Sequence, residues 1–249
     1  VWGCSGTTIS LLLNDPATDR NKEVRELKKE FWLERWEREE TGFHQDDFNP
    51  YLRQYWQELQ LSRDCEVFVP LCGKSRDMLW LRDQGHQALG VELSAIAVQA
   101  FFRENGYTPQ QVSQHQVASG KFEQCEADDI RIMCGDFFDL GKADLEKVIA
   151  VYDRASLIAL PPEMRERYVR HLVSILPPAT QILLVTLEYP QPEMQGPPFS
   201  VSASEVEDFY REHAEVRLLA QVDALAQNPR FRQRGLTGMV ENIFLLKLH

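Results

Sequence analysis

Seven short apolar runs punctuate the chain from residue 64 onward: Cys65–Leu71, Ala88–Leu93, Ile130–Cys134, Val148–Tyr152, Gln181–Tyr189, Val216–Asp223 and Glu241–Leu248. The early runs are near-continuous Val, Ile and Leu rather than alternating, as expected of strands covered on both faces. Helical periodicity fills the gaps. One helix is predicted over Lys74–Gln84, and a second opens at Ser94, placed as an N-cap, and runs to about Asn105. A third covers Pro162–Leu176 with proline at the first helical position. A fourth begins near Ser202, where Ser202 and Glu205 have capping-box spacing. Such alternation predicts an α/β doubly wound sheet with helices on both faces.

Upstream, "FWLERWEREE" (31–40) puts Trp32 and Trp36 on one helix face. Asn49 and Pro50 read as the N-cap and first position of a further helix with Leu52, Tyr55, Trp56 and Leu59 on one side. These two helices precede the first strand and are placed to cover a crevice at the sheet's edge. The opening stretch carries an apolar run, Ile9 to Leu13, broken by Ser10 and ended by Asn14-Asp15-Pro16, with no basic region before it. Residues 1–29 are therefore expected to be an unstructured or expression-derived extension rather than a signal peptide, and residues 30–249 a single domain. The segment 190–198 holds four prolines and Gly196 and reads as a stiff loop after the fifth strand, too short to separate domains.

Bulk properties narrow the partners. With 249 residues, 43% hydrophobic and 26% charged, the chain suits one large domain with a real core. Its formal net charge of −11 repels phosphate backbones and anionic lipid, so neither nucleic acid nor membrane is expected as a partner. No apolar run approaches the roughly 18–20 residues needed to span a bilayer. The five cysteines are odd in number and scattered without a C-x-x-C pair, which fits a reducing cytoplasm and predicts neither a disulfide framework nor a metal site.

The segment "EVFVPLCGKSRDMLWLRDQGHQALGVELS" (66–94) carries the candidate chemistry. Gly73-Lys74-Ser75 resembles the end of a P-loop. The first glycine of that motif would fall on Phe68, and Pro70 within the would-be nest has no N–H to offer a phosphate. The dinucleotide fingerprint G-x-G-x-x-G also fails, because only Gly73 is present. The acid of that pattern survives: Glu92 ends the second strand about 20 residues after the turn, where a carboxylate accepts from both ribose hydroxyls. A ribose held without a pyrophosphate cradle points to S-adenosylmethionine. The plainer reading of Glu92 is a cap before the Ser94 helix. After the third strand, Asp136 and Phe137 are placed to meet an adenine amino group and ring, although an aspartate there is commonly a turn residue.

"FWLERWEREETGFHQ" (31–45), "PLCGKS" (70–75), "GVELS" (90–94), "GDFFDL" (135–140), "YDRASLIALP" (152–161) and "GPPFSV" (196–201) occur together in this order. In this the chain resembles the thiopurine S-methyltransferase family, its bacterial branch above all, over about residues 30 to 249. The resemblance implies a class I methyltransferase (Rossmann-like) fold with a seven-stranded, mostly parallel sheet and an N-terminal helical lid. It implies S-adenosylmethionine as methyl donor and no metal. It implies aromatic or heterocyclic thiols as acceptors; bacterial members are also associated with selenium and tellurium compounds. Carried over by position, Trp36, Leu71, Glu92 and Arg154 become donor-site residues with Gly73 at the turn, and Trp32 part of the same lid. Asp136 and Phe137 become adenine-side residues, and Phe43 lies at the acceptor mouth. The stretch 226–238 departs from the family pattern, so Arg230, Arg232 and Arg234 are not ranked as acceptor contacts. A monomer in the cytoplasm is expected.

Methyl transfer is an in-line displacement that asks chiefly for alignment and exclusion of water. Aromatic thiols are acidic enough to need no strong general base. Asp153 and Arg154, at the end of the fourth strand, are the candidate catalytic residues; Arg154 is positioned to hold the donor carboxylate or polarise the acceptor, and the plainer alternative is a local Asp153–Arg154 salt bridge. His44 is an acceptor-side candidate whose bland role is packing. Cys72 is expected to be a small core residue and Lys74 a solvated or lightly paired one. Rival readings are an NAD-linked dehydrogenase, disfavoured by the missing glycines, a donor-binding module without catalysis, a methyltransferase for another small acceptor, and a methyltransferase acting on protein or nucleic acid. The last lacks its Asn/Asp-Pro-Pro-aromatic tetrapeptide: Tyr152-Asp153-Arg154-Ala155 stands there.

Overall fold

The structure is a computed structural model that describes residues 29–41, 44–108, 110–117 and 120–249. The chain divides into two compact units, Val1–Thr41 and Gly42–His249. In the first, the described residues form helix α1 over 29–37. Glu34 and Arg38 pair across one helical turn at 3.0 Å, and Arg35 lies 4.7 Å from the centre of the Phe31 ring.

The second unit is built on one sheet. Its strands are β1 (Glu66–Val69), β2 (Gln87–Glu92), β3 (Ser113–Gln116), β4 (Glu123–Ala127), β5 (Ile130–Cys134), β6 (Val148–Arg154), β7 (Gln181–Glu188), β8 (Ala214–Asp223) and β9 (Val240–Leu248). They lie in the order β3-β4-β5-β2-β1-β6-β7-β9-β8. All seven predicted strands are present. The sheet has nine, not seven, because β3 and β4 form an antiparallel hairpin on the β5 edge. Sequence patterning missed it for a physical reason. β3 reads Ser-Gln-His-Gln and is exposed along its length, so it carries no buried face to write an apolar signature. The central strands β5, β2, β1, β6 and β7 pair in parallel, and β9 runs antiparallel to both of its neighbours.

The helices are α2 (Pro50–Tyr55), α3 (Asp77–Asp83), α4 (Ala95–Glu104), α5 (Pro162–Ile175), α6 (Ala203–Tyr210) and α7 (Pro229–Gln233). Three start where a capping side chain dictates. Asn49 Oδ1 accepts from the N–H of Tyr51 at 2.9 Å, Ser94 Oγ from Ala97 at 3.3 Å, and Ser202 Oγ from Glu205 at 3.2 Å. α3 begins three residues later than predicted, because Lys74–Arg76 stay in the turn.

Strand periodicity sorts the core into two layers. Phe68, Leu89, Val91, Val151 and Leu184 face α5 and α6, against Tyr168, Leu172, Val206 and Tyr210. Val67, Val69, Ala88, Ala150 and Tyr152 face α2, α3 and α4, against Leu52, Trp56, Met78, Leu81 and Phe101. Gly90 in β2 is required by close packing on this second face: a Cβ there would lie 2.6 Å from Cys72 Sγ and 3.1 Å from Met78 Cε. β1 leads through α3 to β2 on one side while β6 lies on its other side, so the strand order reverses at β1. The crevice of such a sheet opens at the carboxyl ends of β1 and β6.

At the opposite end of β1, a buried histidine pins the α2 layer. The indole Nε1–H of Trp56 donates to His86 Nε2 at 3.0 Å, and Cys65 Sγ lies 3.2 Å from His86 Nδ1. An indole nitrogen only donates, so Nε2 must be unprotonated and the neutral ring carries its proton on Nδ1, facing sulfur. Burial lowers the His86 pKa below the ordinary 6.5, with the Asp64 charge acting in the opposite sense. A histidine with a depressed folded-state pKa leaves the unfolded chain binding more protons below pH 6.5. Its stabilisation is therefore full above pH 6.5 and is lost as pH falls towards the folded-state value. Thermal melts at pH 7 and pH 5 should show the midpoint of the wild type dropping further than that of His86→Gln, which keeps an acceptor for Trp56 without titrating. Equal drops would contradict this account.

Candidate functional site

The turn after β1 sets the floor of the crevice. Leu71 (φ 45°) and Gly73 (φ 54°) both adopt left-handed backbone. For a leucine that conformation is costly and must be imposed by its surroundings. Cys72 imposes part of it: its N–H donates to Val91 O at 3.0 Å and its side chain is buried against Gly90. Cys72 is thus the core residue expected, and burial pushes its thiol well above the ordinary range.

Glu92 imposes the rest. One carboxylate oxygen accepts from the N–H of Gly73 at 2.8 Å and the other from the N–H of Ser94 at 2.8 Å. The side chain is buried, which raises its pKa; the backbone N–H groups of Ser94, Gly73 and Leu93 oppose that rise. The cap reading of Glu92 therefore holds, and it does not exhaust the group. A carboxylate offers about four lone-pair directions, so acceptor capacity remains for further donors.

The Tyr152-Asp153-Arg154 end of β6 splits across the sheet. Asp153 faces the α5 layer, fully buried, and accepts from the Tyr168 hydroxyl at 2.7 Å. Burial pushes its pKa up to about 6. Arg154, one residue on, points to the opposite face with Tyr152. A local Asp153–Arg154 pair is thereby excluded, and so is a place for the Asp153 carboxylate at the crevice surface, where the sequence reading had put a catalytic group. Ser156 ties this end to the floor by donating to Pro70 O at 2.8 Å. Ala155 between them has φ 67°.

The segment from His44 to Asn49 lies along the same turn. Arg76 Nη1 donates to Asp46 O at 2.6 Å, and the Asn49 N–H donates to Asp77 Oδ1 at 2.7 Å. His44 is held below its ordinary pKa by burial and by Lys74; Asp46 and Glu104 oppose this, and Arg154 adds a smaller lowering. A neutral imidazole near pH 7 follows. Lys74 is not merely solvated: Nζ contacts both oxygens of Glu104 in α4, at 2.7 and 3.0 Å. Phe43, the other acceptor-side candidate, lies outside the described residues. Trp32 and Trp36 stand four residues apart on α1 in the first unit, where the Trp32 ring meets Phe31 edge-on at 5.3 Å.

Asp136 and Phe137 follow β5. Asp136 Oδ1 accepts from the Phe138 N–H at 2.8 Å, capping a short 3₁₀ turn. Phe137 is not on the crevice wall: it is buried in the α5 layer, 4.8 Å from the Tyr168 ring and 5.2 Å from His171. The placement beside adenine is corrected for this ring, because the tight turn after Gly135 directs it inward. Arg230 in α7 and Arg234 just after it lie 4.9 and 5.9 Å from the buried Phe231 ring, and Arg232 is exposed.

Sequence reasoning missed Asp77. It is buried and receives both the Asn49 N–H and the Tyr152 hydroxyl, the latter at 3.1 Å. The spacing of Tyr152 and Arg154 was a usable signal, since positions two apart share a sheet face. Among the described residues no group of three or more His, Cys, Asp or Glu is arranged to hold a metal ion, and no helix is long and apolar enough to cross a membrane.

Residues 27–249 match the family model for thiopurine S-methyltransferase (TPMT). The chain is 59% identical over 220 residues to a thiopurine S-methyltransferase of Nitrosospira multiformis, covering 88% of this chain and 98% of that protein. It is 48% identical over 221 residues to one of Bordetella petrii, covering 89% and 99%. In fold it is similar to the 1,6-didemethyltoxoflavin-N1-methyltransferase of Burkholderia thailandensis, solved with S-adenosylhomocysteine bound: TM-score 0.60, 13% identity, 96% of this chain and 93% of that one. A TehB-like SAM-dependent methyltransferase of Corynebacterium glutamicum gives TM-score 0.50 at 14% identity over 88% and 97%. The chain belongs to the thiopurine S-methyltransferase family and has the class I fold of S-adenosylmethionine-dependent methyltransferases.

Proposed function

We propose that this protein transfers the methyl group of S-adenosylmethionine to the sulfur of aromatic or heterocyclic thiols of the thiopurine type. The observation that carries the reading is Glu92: a buried carboxylate at the end of β2, fixed by the N–H groups of Gly73 and Ser94, beside a turn with no phosphate nest. Its spare lone pairs suit ribose hydroxyls. Leu71 and Gly73 would line the same adenosine from the floor, with Asp136 at the adenine side. Arg154 would receive the donor carboxylate as a bidentate guanidinium pair. When bound, S-adenosylmethionine supplies an electrophilic methyl carbon on a sulfonium.

The remaining work falls to orientation. In the overall reaction the acceptor sulfur gains a bond to carbon, and the bond electrons of the cleaved link stay with the donor's sulfur. His44, on the segment beside the turn, would bound the acceptor, and Phe43 is proposed as a second acceptor-side residue. A neutral His44 can accept a thiol proton, but an aromatic thiol that is already ionised does not need it. Asp153 acts at a distance, holding the β6 end against α5 through Tyr168. Selenium and tellurium nucleophiles fit the same displacement. Methyl transfer to another small acceptor is the alternative that this donor site equally supports, and an acceptor screen separates the two.

Incubation with methyl-labelled donor and thiophenol-type thiols should place label on sulfur; tight donor binding without transfer would make the protein a binding module instead. Calorimetric titration with S-adenosylhomocysteine should show Glu92→Gln binding at least tenfold more weakly, about 1.4 kcal/mol. Unchanged affinity in a folded variant would remove Glu92 from the site. His44→Ala should retain turnover of an acidic thiol within about tenfold of wild type; complete loss with the fold intact would assign His44 an obligatory base role.

A further inference from the structure

Asp77 is a buried carboxylate that the reaction as described does not use. It is the first residue of α3 and is 2% exposed. Both oxygens are engaged from different elements: Oδ1 by the Asn49 N–H at 2.7 Å and Oδ2 by the Tyr152 hydroxyl at 3.1 Å. Tyr152 and Arg154 lie two residues apart in β6 and so share the sheet face that α3 covers. The Arg154 cation is the foremost influence favouring the ionised form of Asp77 against the cost of burial. A fixed anion and a half-buried arginine thus lie on the same face of the sheet, linked through Tyr152.

We propose that Asp77 is a positioning residue that orients the Arg154 guanidinium towards the donor carboxylate. An unrestrained arginine carries rotamer entropy that ligand binding would otherwise have to overcome. A carboxylate locked by Asn49 and Tyr152 narrows that freedom before the ligand arrives. The same contact ties the segment carrying His44 to the end of β6, so donor-side and acceptor-side walls share one anchor. The inference rests on the reading of Arg154 as a donor-site residue.

The test is a double-mutant cycle read by S-adenosylhomocysteine titration of the full chain, with thermal melts as a fold control. Arg154→Ala should weaken binding tenfold or more and Asp77→Asn about three- to tenfold, while the double variant should be no more than about twofold weaker than Arg154→Ala alone. Tyr152→Phe removes only the hydroxyl that steadies Asp77; it should weaken binding about twofold in the wild type and leave Arg154→Ala unchanged, which keeps the test decisive if Asp77→Asn does not fold. In turnover assays the donor KM should rise with kcat nearly constant. Unchanged binding by Arg154→Ala would overturn both the donor-site reading and this inference. A weakened Arg154→Ala combined with unchanged, tighter or fully additive effects at Asp77 and Tyr152 would overturn the inference alone.

Discussion

The hydrogen bonds from Gly73 and Ser94 to the Glu92 carboxylate hold the crevice in shape. Desolvating a carboxylate costs several kcal/mol unless donors replace its water. Here the donors are backbone N–H groups of two loops that must themselves be satisfied when buried. The left-handed conformations at Leu71 and Gly73 aim one of those donors, and the Ser94 cap fixes the other. Remove the carboxylate and the turn loses its partner; relax the turn and the carboxylate is stranded. Floor and second strand therefore form one rigid corner, presented at the point where the strand order reverses.

The β6 terminus shows how one short motif serves two faces. Asp153 points into the α5 layer and bonds Tyr168, whereas Tyr152 and Arg154 point to the α3 side, where Asp77 waits. Ser156 then ties the strand end to Pro70. Three polar contacts thus fasten the end of β6 to both helical layers and to the turn after β1. Such immobilisation suits a displacement reaction, in which small errors in alignment are expensive and little acid–base chemistry is required.

The contrast between Cys72 and Glu92 illustrates how burial selects chemistry. Both lie within the same turn-and-strand corner, and burial raises the pKa of each. Cys72 packs against Gly90 with its thiol far from ionising, and so contributes volume. Glu92 has backbone donors that sustain its charge, and so contributes an acceptor. The acidic net charge of −11 is compatible with this economy, because nothing in the corner is built to grip phosphate.

What the sequence determined by itself was whatever is local. The seven apolar runs, the caps at Asn49, Ser94 and Ser202, the lone glycine at 73 and the acid at 92 all follow from period, turn chemistry and spacing, and each stands where those rules put it. Tertiary structure decided whatever depends on which face a residue meets. The polar β3–β4 hairpin exists because β5 offers an edge, a fact absent from Ser-Gln-His-Gln itself. Phe137 turned inward because the chain bends after Gly135, and Asp153 was withdrawn from the crevice by strand alternation. Asp77 gained its place only because α2, α3 and β6, far apart in the chain, converge on one carboxylate. Local pattern encodes backbone conformation; convergence of distant side chains is set by packing, and no window of sequence contains it.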